Sequence, residues 1–98
     1  MSAHVLVVRD EAQEETEQIK AWYGSQRVGL DDRFVAALEK TYKGLLEAPF
    51  YQVRKNVFRY VLVEGFPHYR VVFVVDGDVI TVYQVRHTSR KPSKRFGP

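Results

Sequence analysis

The sequence predicts an α+β fold: an N-terminal strand, a helical hairpin, and a three-stranded antiparallel meander packed on the helices. Three observations support this prediction. A short β-branched run opens the chain, two stretches of helical periodicity follow it, and three β-rich runs separated by turn residues come after Pro49. Helices and meander are segregated along the chain, as is typical of α+β proteins. With 98 residues, the chain is expected to form a single domain over residues 1–98.

The first strand and the first helix are predicted from residues 4–23. Residues 4–9 are rich in valine, which favours a strand. Asp10 is expected to cap the first helix, and Gly24 is expected to end it. The positions expected to face inward follow the 3.6-residue period and are Ala12, Thr16, Ile19, Trp22 and Tyr23.

The second helix is expected to start at Asp31 or Asp32, after a turn at residues 25–29, and to end before Pro49. It has two neighbouring apolar stripes, whereas packing on one sheet needs only one. The second stripe is therefore expected either to pack on the first helix or to form part of a groove for a partner. The first stripe is Phe34, Leu38, Thr41 and Leu45; the second is Val35, Tyr42 and Leu46.

The meander is predicted from residues 57–63, 68–75 and 79–87. Glu64 and Gly65 provide the first turn, and Asp76 and Gly77 provide a tight hairpin turn. The segment before the meander, with Arg54 and Lys55, is expected to be a basic loop. The tail over residues 88–98 is polar and basic.

Charge is distributed unevenly along the chain. Residues 1–48 carry six Lys and Arg against nine Asp and Glu, and residues 49–98 carry nine against three. A basic C-terminal half indicates contact with nucleic acid, a nucleic-acid-bound machine or an acidic partner, although a merely solvated basic surface has the same composition. The apolar runs are too short for a signal peptide or a membrane span, and there is no cysteine. A cytoplasmic protein without membrane contact is expected.

No cofactor and no metal site are expected. The three histidines, His4, His68 and His87, belong to different predicted elements and lack ligand spacing. No glycine-rich loop that could bind a phosphate is present.

Several short segments in one order resemble the ParE-type toxins (plasmid stabilisation proteins) of the RelE/ParE superfamily. Residues 66–70 read Phe-Pro-His-Tyr-Arg, similar to the Phe-Pro-Tyr-like turn of these toxins, and residues 85–92 fit their Val-x-His-x-x-Arg-x-Pro ending. The first half also fits, with Glu11 and Ala12 at the start of the first helix, Trp22 and Tyr23 near its end, and a proline after the second.

The resemblance implies a bacterial toxin of a type II toxin-antitoxin system, neutralised in a heteromeric complex by a cognate antitoxin, ParD-like or of another family. ParE-like members inhibit DNA gyrase, whereas RelE-like members cut messenger RNA on the ribosome, and the shared fold does not choose between them. We expect a gyrase inhibitor that is not an enzyme. The alternatives are a ribosome-dependent endoribonuclease and a non-toxic member that only binds antitoxin.

A nuclease would need a general acid or base and cations around the scissile phosphate. The candidates are Arg59, Arg70, Arg86 and His87; Arg59 and Arg86 lie on predicted strands whose neighbouring residues could face the same side. The resemblance places Arg70 at the phosphate-binding position of RelE-like enzymes. Against a nuclease, Phe96 stands where many ribosome-dependent members have a tyrosine, and its ring has no proton to give. Alternatively, Arg70 pairs with an acidic residue and His87 bonds to the sheet edge or the tail.

Two binding surfaces are expected on the same fold. The antitoxin is expected to place apolar anchors on the helical hairpin and acidic residues near two arginines, and the target is expected to contact the basic C-terminal region. The antitoxin-binding residues are Trp22, Val35, Tyr42, Leu46, Arg59 and Arg70. The target-binding residues are Arg86, His87, Arg90, Lys91, Lys94 and Arg95.

Overall fold

A computed structural model describes residues 4–51 and 53–88 of the chain. It confirms the α+β class, with a strand, a helical hairpin and an antiparallel meander in the predicted order. The elements are β1 (Val5–Val8), α1 (Asp10–Gln26), α2 (Leu30–Glu47), β2 (Val53–Lys55), β3 (Phe58–Val63), β4 (Phe66–Asp76) and β5 (Val79–His87).

The five strands form one sheet in the order β1-β5-β4-β3-β2. Strands β3, β4 and β5 are the antiparallel meander, and β1 pairs in parallel with β5, from Val5 opposite Val79 to Val8 opposite Val82. Strand β2 lies where a loop at Arg54 and Lys55 was expected, so that prediction is wrong. A three-residue strand with two cations has no alternation to reveal it, and it is formed by pairing with β3.

The ends of the helices differ from the prediction at three places. Helix α1 continues through Gly24 to Gln26, with the N–H of Arg27 still donating to the carbonyl of Tyr23 at 3.1 Å. Asp10 is the first residue of α1 and makes no capping hydrogen bond, whereas Arg9 is the extended residue before it. Helix α2 begins at Leu30 because Gly29 adopts a left-handed conformation (φ 84°) that turns the chain.

One stripe of α2 forms the centre of the core, as predicted. Its members are the buried residues Phe34, Leu38, Thr41 and Leu45. They pack with the apolar residues of the central strands, Val71, Phe73, Ile80, Val82 and Val85. The second stripe is half-buried, and its Tyr42 and Leu46 also pack against this core. Most of the second stripe therefore contributes to intramolecular packing.

Aromatic rings join both helices to the end of the sheet at which β4 begins. The rings of Tyr23 and Phe34 contact each other and both contact those of Phe66 and Tyr69, with ring centroids 5.2 to 5.9 Å apart. His87 adds to this cluster, edge-to-face on Tyr69 at 5.1 Å. Such pairs contribute about 0.5 to 1.5 kcal/mol each beyond their buried area. The cluster fixes the position of α1 relative to the end of β5.

Trp22 does not face inward, contrary to the prediction. Its side chain is 55% exposed, although its ring touches that of Tyr23 edge-to-face at 5.1 Å. The neighbouring Tyr23 points into the aromatic cluster. Because consecutive residues of a helix point about 100° apart, Trp22 is directed away from that cluster. Trp22 is therefore a large apolar group at the surface.

Truncation of Leu38 tests the core. Leu38 is only 4% exposed, so Leu38→Ala should lower the free energy of unfolding by about 2 to 5 kcal/mol through lost burial and a cavity. Denaturant unfolding measures the change. The matched control is Leu62→Ala on β3, where a leucine that is 43% exposed should cost less than about 1.5 kcal/mol. Equal losses at the two positions would contradict this assignment of the core.

The aromatic cluster predicts a stability loss at high pH. Burial, with a smaller effect of the neighbouring Tyr69, raises the pKa of Tyr23 to about 12, against about 10 in the unfolded chain. Because the fold favours the neutral phenol, its contribution is complete below about pH 10 and is lost as the pH rises toward about 12. Unfolding free energies measured across this interval should fall less steeply for Tyr23→Phe than for the wild type. Parallel curves would show that Tyr23 is not the titrating group.

Candidate functional site

The helices pack on one face of the sheet, and we call the opposite face the open face, although Val72, Gln84 and Arg86 on it are buried. Side chains alternate between faces along a strand, and residues paired across strands share a face. Arg59 pairs with the core residue Phe73 and so lies on the helix-covered face. Arg70 pairs with Arg86 on the opposite, open face. Arg59 and Arg86 therefore do not share a face of the sheet.

The open face carries two adjacent arginines. Arg70 and Arg86 are direct cross-strand neighbours, and the guanidinium of Arg70 lies over the ring of Tyr60, 4.3 Å from its centroid. Arg86 is only 5% exposed. The Nε of Arg70 is buried and makes no hydrogen bond within the described part of the chain. Two neighbouring guanidinium groups favour an anion such as a carboxylate or a phosphate.

The four residues considered for nuclease chemistry do not converge. Arg70 and Arg86 lie on the open face, whereas Arg59 lies on the helix-covered face, its guanidinium 5.8 Å from the centroid of the Phe50 ring. His87 pairs with Tyr69 at the end of the sheet, where its ring also stacks on that of His68 at 5.8 Å. The strand pairing assigns His87 and the two arginines of the open face to different faces, but Arg86 and His87 are consecutive residues that line one cleft.

A cleft of about 420 Å³ lies between α1 and the end of β5, and we call it the α1–β5 cleft. Its most specific contact joins Glu15 to the sheet: the Oε1 atom of Glu15 accepts a hydrogen bond from the backbone N–H of Val85 at 3.0 Å. The lining residues are Glu15, Gln18, Ile19, Trp22, Tyr69, Val85, Arg86 and His87.

The role of Glu15 was not predicted from the sequence, where this residue was grouped with the other acidic residues at the start of α1. The spacing of Glu15 from the apolar residues of α1 could have indicated this role. Glu15, Ile19 and Trp22 are four and three residues apart, which places them on one stripe of the helix. A carboxylate on an otherwise apolar stripe indicates a specific polar partner, and that partner is the edge of β5.

A second, wider cleft of about 730 Å³ lies beside the N-terminal half of α1 and reaches Leu38 and Tyr42 of α2. The Tyr42 hydroxyl is buried and has no hydrogen-bond partner among the described residues. Burial, followed by the charge of Glu15, raises the pKa of Tyr42. Because Trp22 lines the other cleft, the structure does not bring Trp22 and Tyr42 into one groove.

The remaining predicted site residues are placed as follows. Val35 is half-buried on α2, and Leu46 packs against the core. Four of the target-binding residues, together with Phe96, lie outside the described residues: Arg90, Lys91, Lys94 and Arg95. Within residues 4–51 and 53–88, no three His, Asp or Glu side chains are grouped to bind a metal ion. None of the helices described is both long and apolar enough to cross a membrane.

Comparison with known proteins identifies the family. The family model described as the ParE toxin of the type II toxin-antitoxin system parDE matches residues 6–92. Comparison with curated protein sequences gives no significant match. Among solved structures, a chain from the chromosomal ParDE TA system from P. aeruginosa has a similar fold, with a TM-score of 0.72 and 15% sequence identity over 87% of this chain and 96% of that chain. Because the family model spans nearly the whole sequence, the protein belongs to the ParE toxin family of type II toxin-antitoxin systems.

Proposed function

We propose that this ParE-family toxin inhibits growth by binding DNA gyrase in the cytoplasm, and that a cognate antitoxin neutralises it in a toxin-antitoxin complex. The observation that carries the proposal is the match of the ParE toxin model to residues 6–92. The position of Arg59, on the opposite face of the sheet from Arg70, supports binding over a nuclease site built from all four candidate residues.

Two surfaces support an antitoxin partner. Trp22 offers a large exposed aromatic side chain at the α1–β5 cleft, and exposed tryptophans are frequent anchors of protein interfaces. On the open face, Arg70 sits beside the buried Arg86, and its Nε is unbonded within the described residues, so an acidic antitoxin side chain would find a positive charge and a hydrogen-bond donor at Arg70. Arg59, half-buried beside Phe50, is a second position for an acidic residue.

One observation favours a second candidate, a ribosome-dependent endoribonuclease. The paired guanidinium groups of Arg70 and Arg86 fit the scissile phosphate of an RNA as well as a carboxylate. This candidate also needs a proton donor or acceptor near the phosphate, and His87, which lines the same cleft as Arg86, is the residue to test for it.

Expression of the toxin alone, and then with the protein encoded beside it, tests the proposal. Gyrase inhibition predicts loss of negative supercoiling in vivo and inhibition of purified gyrase, with growth restored by the antitoxin. Cleaved messenger RNA with normal supercoiling would instead establish the endoribonuclease. Normal growth with the folded toxin present would show that this member is not toxic.

Substitution of His87 separates the two mechanisms. A toxin that works by docking should keep its gyrase inhibition within about twofold in His87→Gln, whereas loss of a general acid or base typically lowers a rate about 10²- to 10⁴-fold. The comparison variant removes positive charge from the tail, Arg90→Ala with Lys91→Ala, and should weaken inhibition in a salt-dependent manner. Thermal melting verifies folding. Loss of toxicity in folded His87→Gln would overturn the docking mechanism.

Trp22 provides a test of the antitoxin interface. Trp22→Ala should raise the Kd for the antitoxin about 10- to 100-fold, as expected for a central aromatic anchor of roughly 1.4 to 2.7 kcal/mol. Isothermal titration calorimetry measures the affinity. Val28→Ala is the matched control, since Val28 is 98% exposed in the turn between the helices and should leave the Kd unchanged. A similar Kd for both variants would remove Trp22 from the interface.

A further inference from the structure

Strand β1 covers only the first part of the outer edge of β5. Its pairing ends at Val8 opposite Val82, and the next residue, Arg9, donates its N–H to the carbonyl of Val82 at 3.0 Å as the chain turns into α1. Strand β5 continues to His87. Beyond Val82, no strand within residues 4–51 and 53–88 pairs with this edge.

A β-bulge determines which backbone groups point to that edge. Val72 and Phe73 are consecutive on β4, but they pair with Gln84 and Val82, so Tyr83 is an extra residue on β5. Before the bulge, the carbonyl of Val82 faces outward to β1. After the bulge, the outward N–H belongs to Val85.

Glu15 occupies the position in which a neighbouring strand would place a carbonyl oxygen. Its Oε1 lies 3.0 Å from the N of Val85, the length of an ordinary ladder hydrogen bond. Side chains that cover an exposed strand edge are a known means of preventing unwanted strand pairing. The contact therefore shows that the N–H of Val85 can donate to an oxygen atom from outside the sheet.

The α1–β5 cleft runs along the same edge and adds an apolar surface to it. Ile19 is half-buried in the cleft, and Trp22 is 55% exposed beside it. A backbone donor next to an apolar pocket matches the recognition of an extended peptide, in which main-chain hydrogen bonds supply affinity and alternate side chains fill pockets. A helical peptide does not fit as well, because its carbonyls are already used within the helix.

We propose that an extended segment of the antitoxin adds as a strand to the outer edge of β5, in line with β1. Its backbone carbonyl replaces the Glu15 carboxylate on the N–H of Val85, and an apolar side chain packs on Ile19 and Trp22. Continuity with β1 supports this occupant, since β1 already pairs with the same edge as far as Val82. This inference rests on the proposed neutralisation by an antitoxin.

Amide hydrogen exchange in the purified toxin-antitoxin complex is the first test. Exchange at Val85 should slow at least about tenfold relative to the free toxin, because a hydrogen bond within a backbone ladder replaces a single one to a side chain. Glu15→Ala removes the competing carboxylate and should tighten antitoxin binding about 3- to 10-fold, as expected for a hydrogen bond of roughly 1 kcal/mol. Glu11→Ala, at an exposed position on α1 that lines neither cleft, is the matched control and should leave the Kd within about twofold.

Backbone substitution gives an independent second test. An amide-to-ester replacement at Val85, introduced by chemical synthesis into the Glu15→Ala toxin so that no hydrogen bond to Glu15 is lost from the free state, deletes only the N–H donor and should weaken antitoxin binding about fivefold relative to Glu15→Ala. The same replacement at Leu6, on the outer edge of β1, is the control, because Val5 and Arg9 point their N–H groups at β5 and Leu6 does not.

The outcomes distinguish this inference from the proposed function. Suppose that the antitoxin neutralises the toxin, but that amide exchange at Val85 does not slow and that neither Glu15→Ala nor the Val85 ester changes the Kd for the antitoxin. Strand addition to β5 is then wrong, and neutralisation stands. Weakening at Leu6 instead of Val85 would move the added strand to β1 and equally overturn the inference. If no antitoxin binds, both proposals fail together.

Discussion

The bulge between the two central strands is the constraint on which the rest of the structure depends. Because Tyr83 is an extra residue, Val82 and Val85 both pair with residues of the helix-covered face, although they are three positions apart. The shift turns Arg86 to the open face and His87 toward the helices. It also turns the N–H of Val85 to the outer edge, where this N–H donates a hydrogen bond to the carboxylate of Glu15. One inserted residue thus determines the chemistry of both faces and of the edge.

The elements with strong patterns could be predicted from the sequence, and those decided by tertiary contact could not. Phe34, Leu38 and Leu45 follow the helical period closely and are buried. Strand β2 has no alternation, and it exists because β3 offers it an edge. The end of α1 was placed too early because Gly24 is usually a stop signal, but here the helix continues past it.

The candidate site was less predictable than the fold for a related reason. Cationic candidates such as Arg70 and Arg86 can be found by residue type, but their grouping depends on the face of each strand. A shift of one residue exchanges the two faces, and a bulge makes that shift without a distinctive residue at its position. The contact of Glu15 with Val85 joins residues far apart in the chain, so only the periodicity of α1 indicated it.

The parallel pairing of β1 with β5 also has a consequence for the order of folding. It joins Val5 to Val79, so the sheet closes across almost the whole described chain, at an entropic cost that grows with the length of the closed loop. The hairpin of α1 and α2 and the hairpin of β4 and β5 need only short-range contacts and can form earlier. During synthesis, at roughly 5 to 20 residues per second, β1 must wait without its partner strand until β5 has been made. The nascent toxin therefore completes its sheet only when its final strand has emerged.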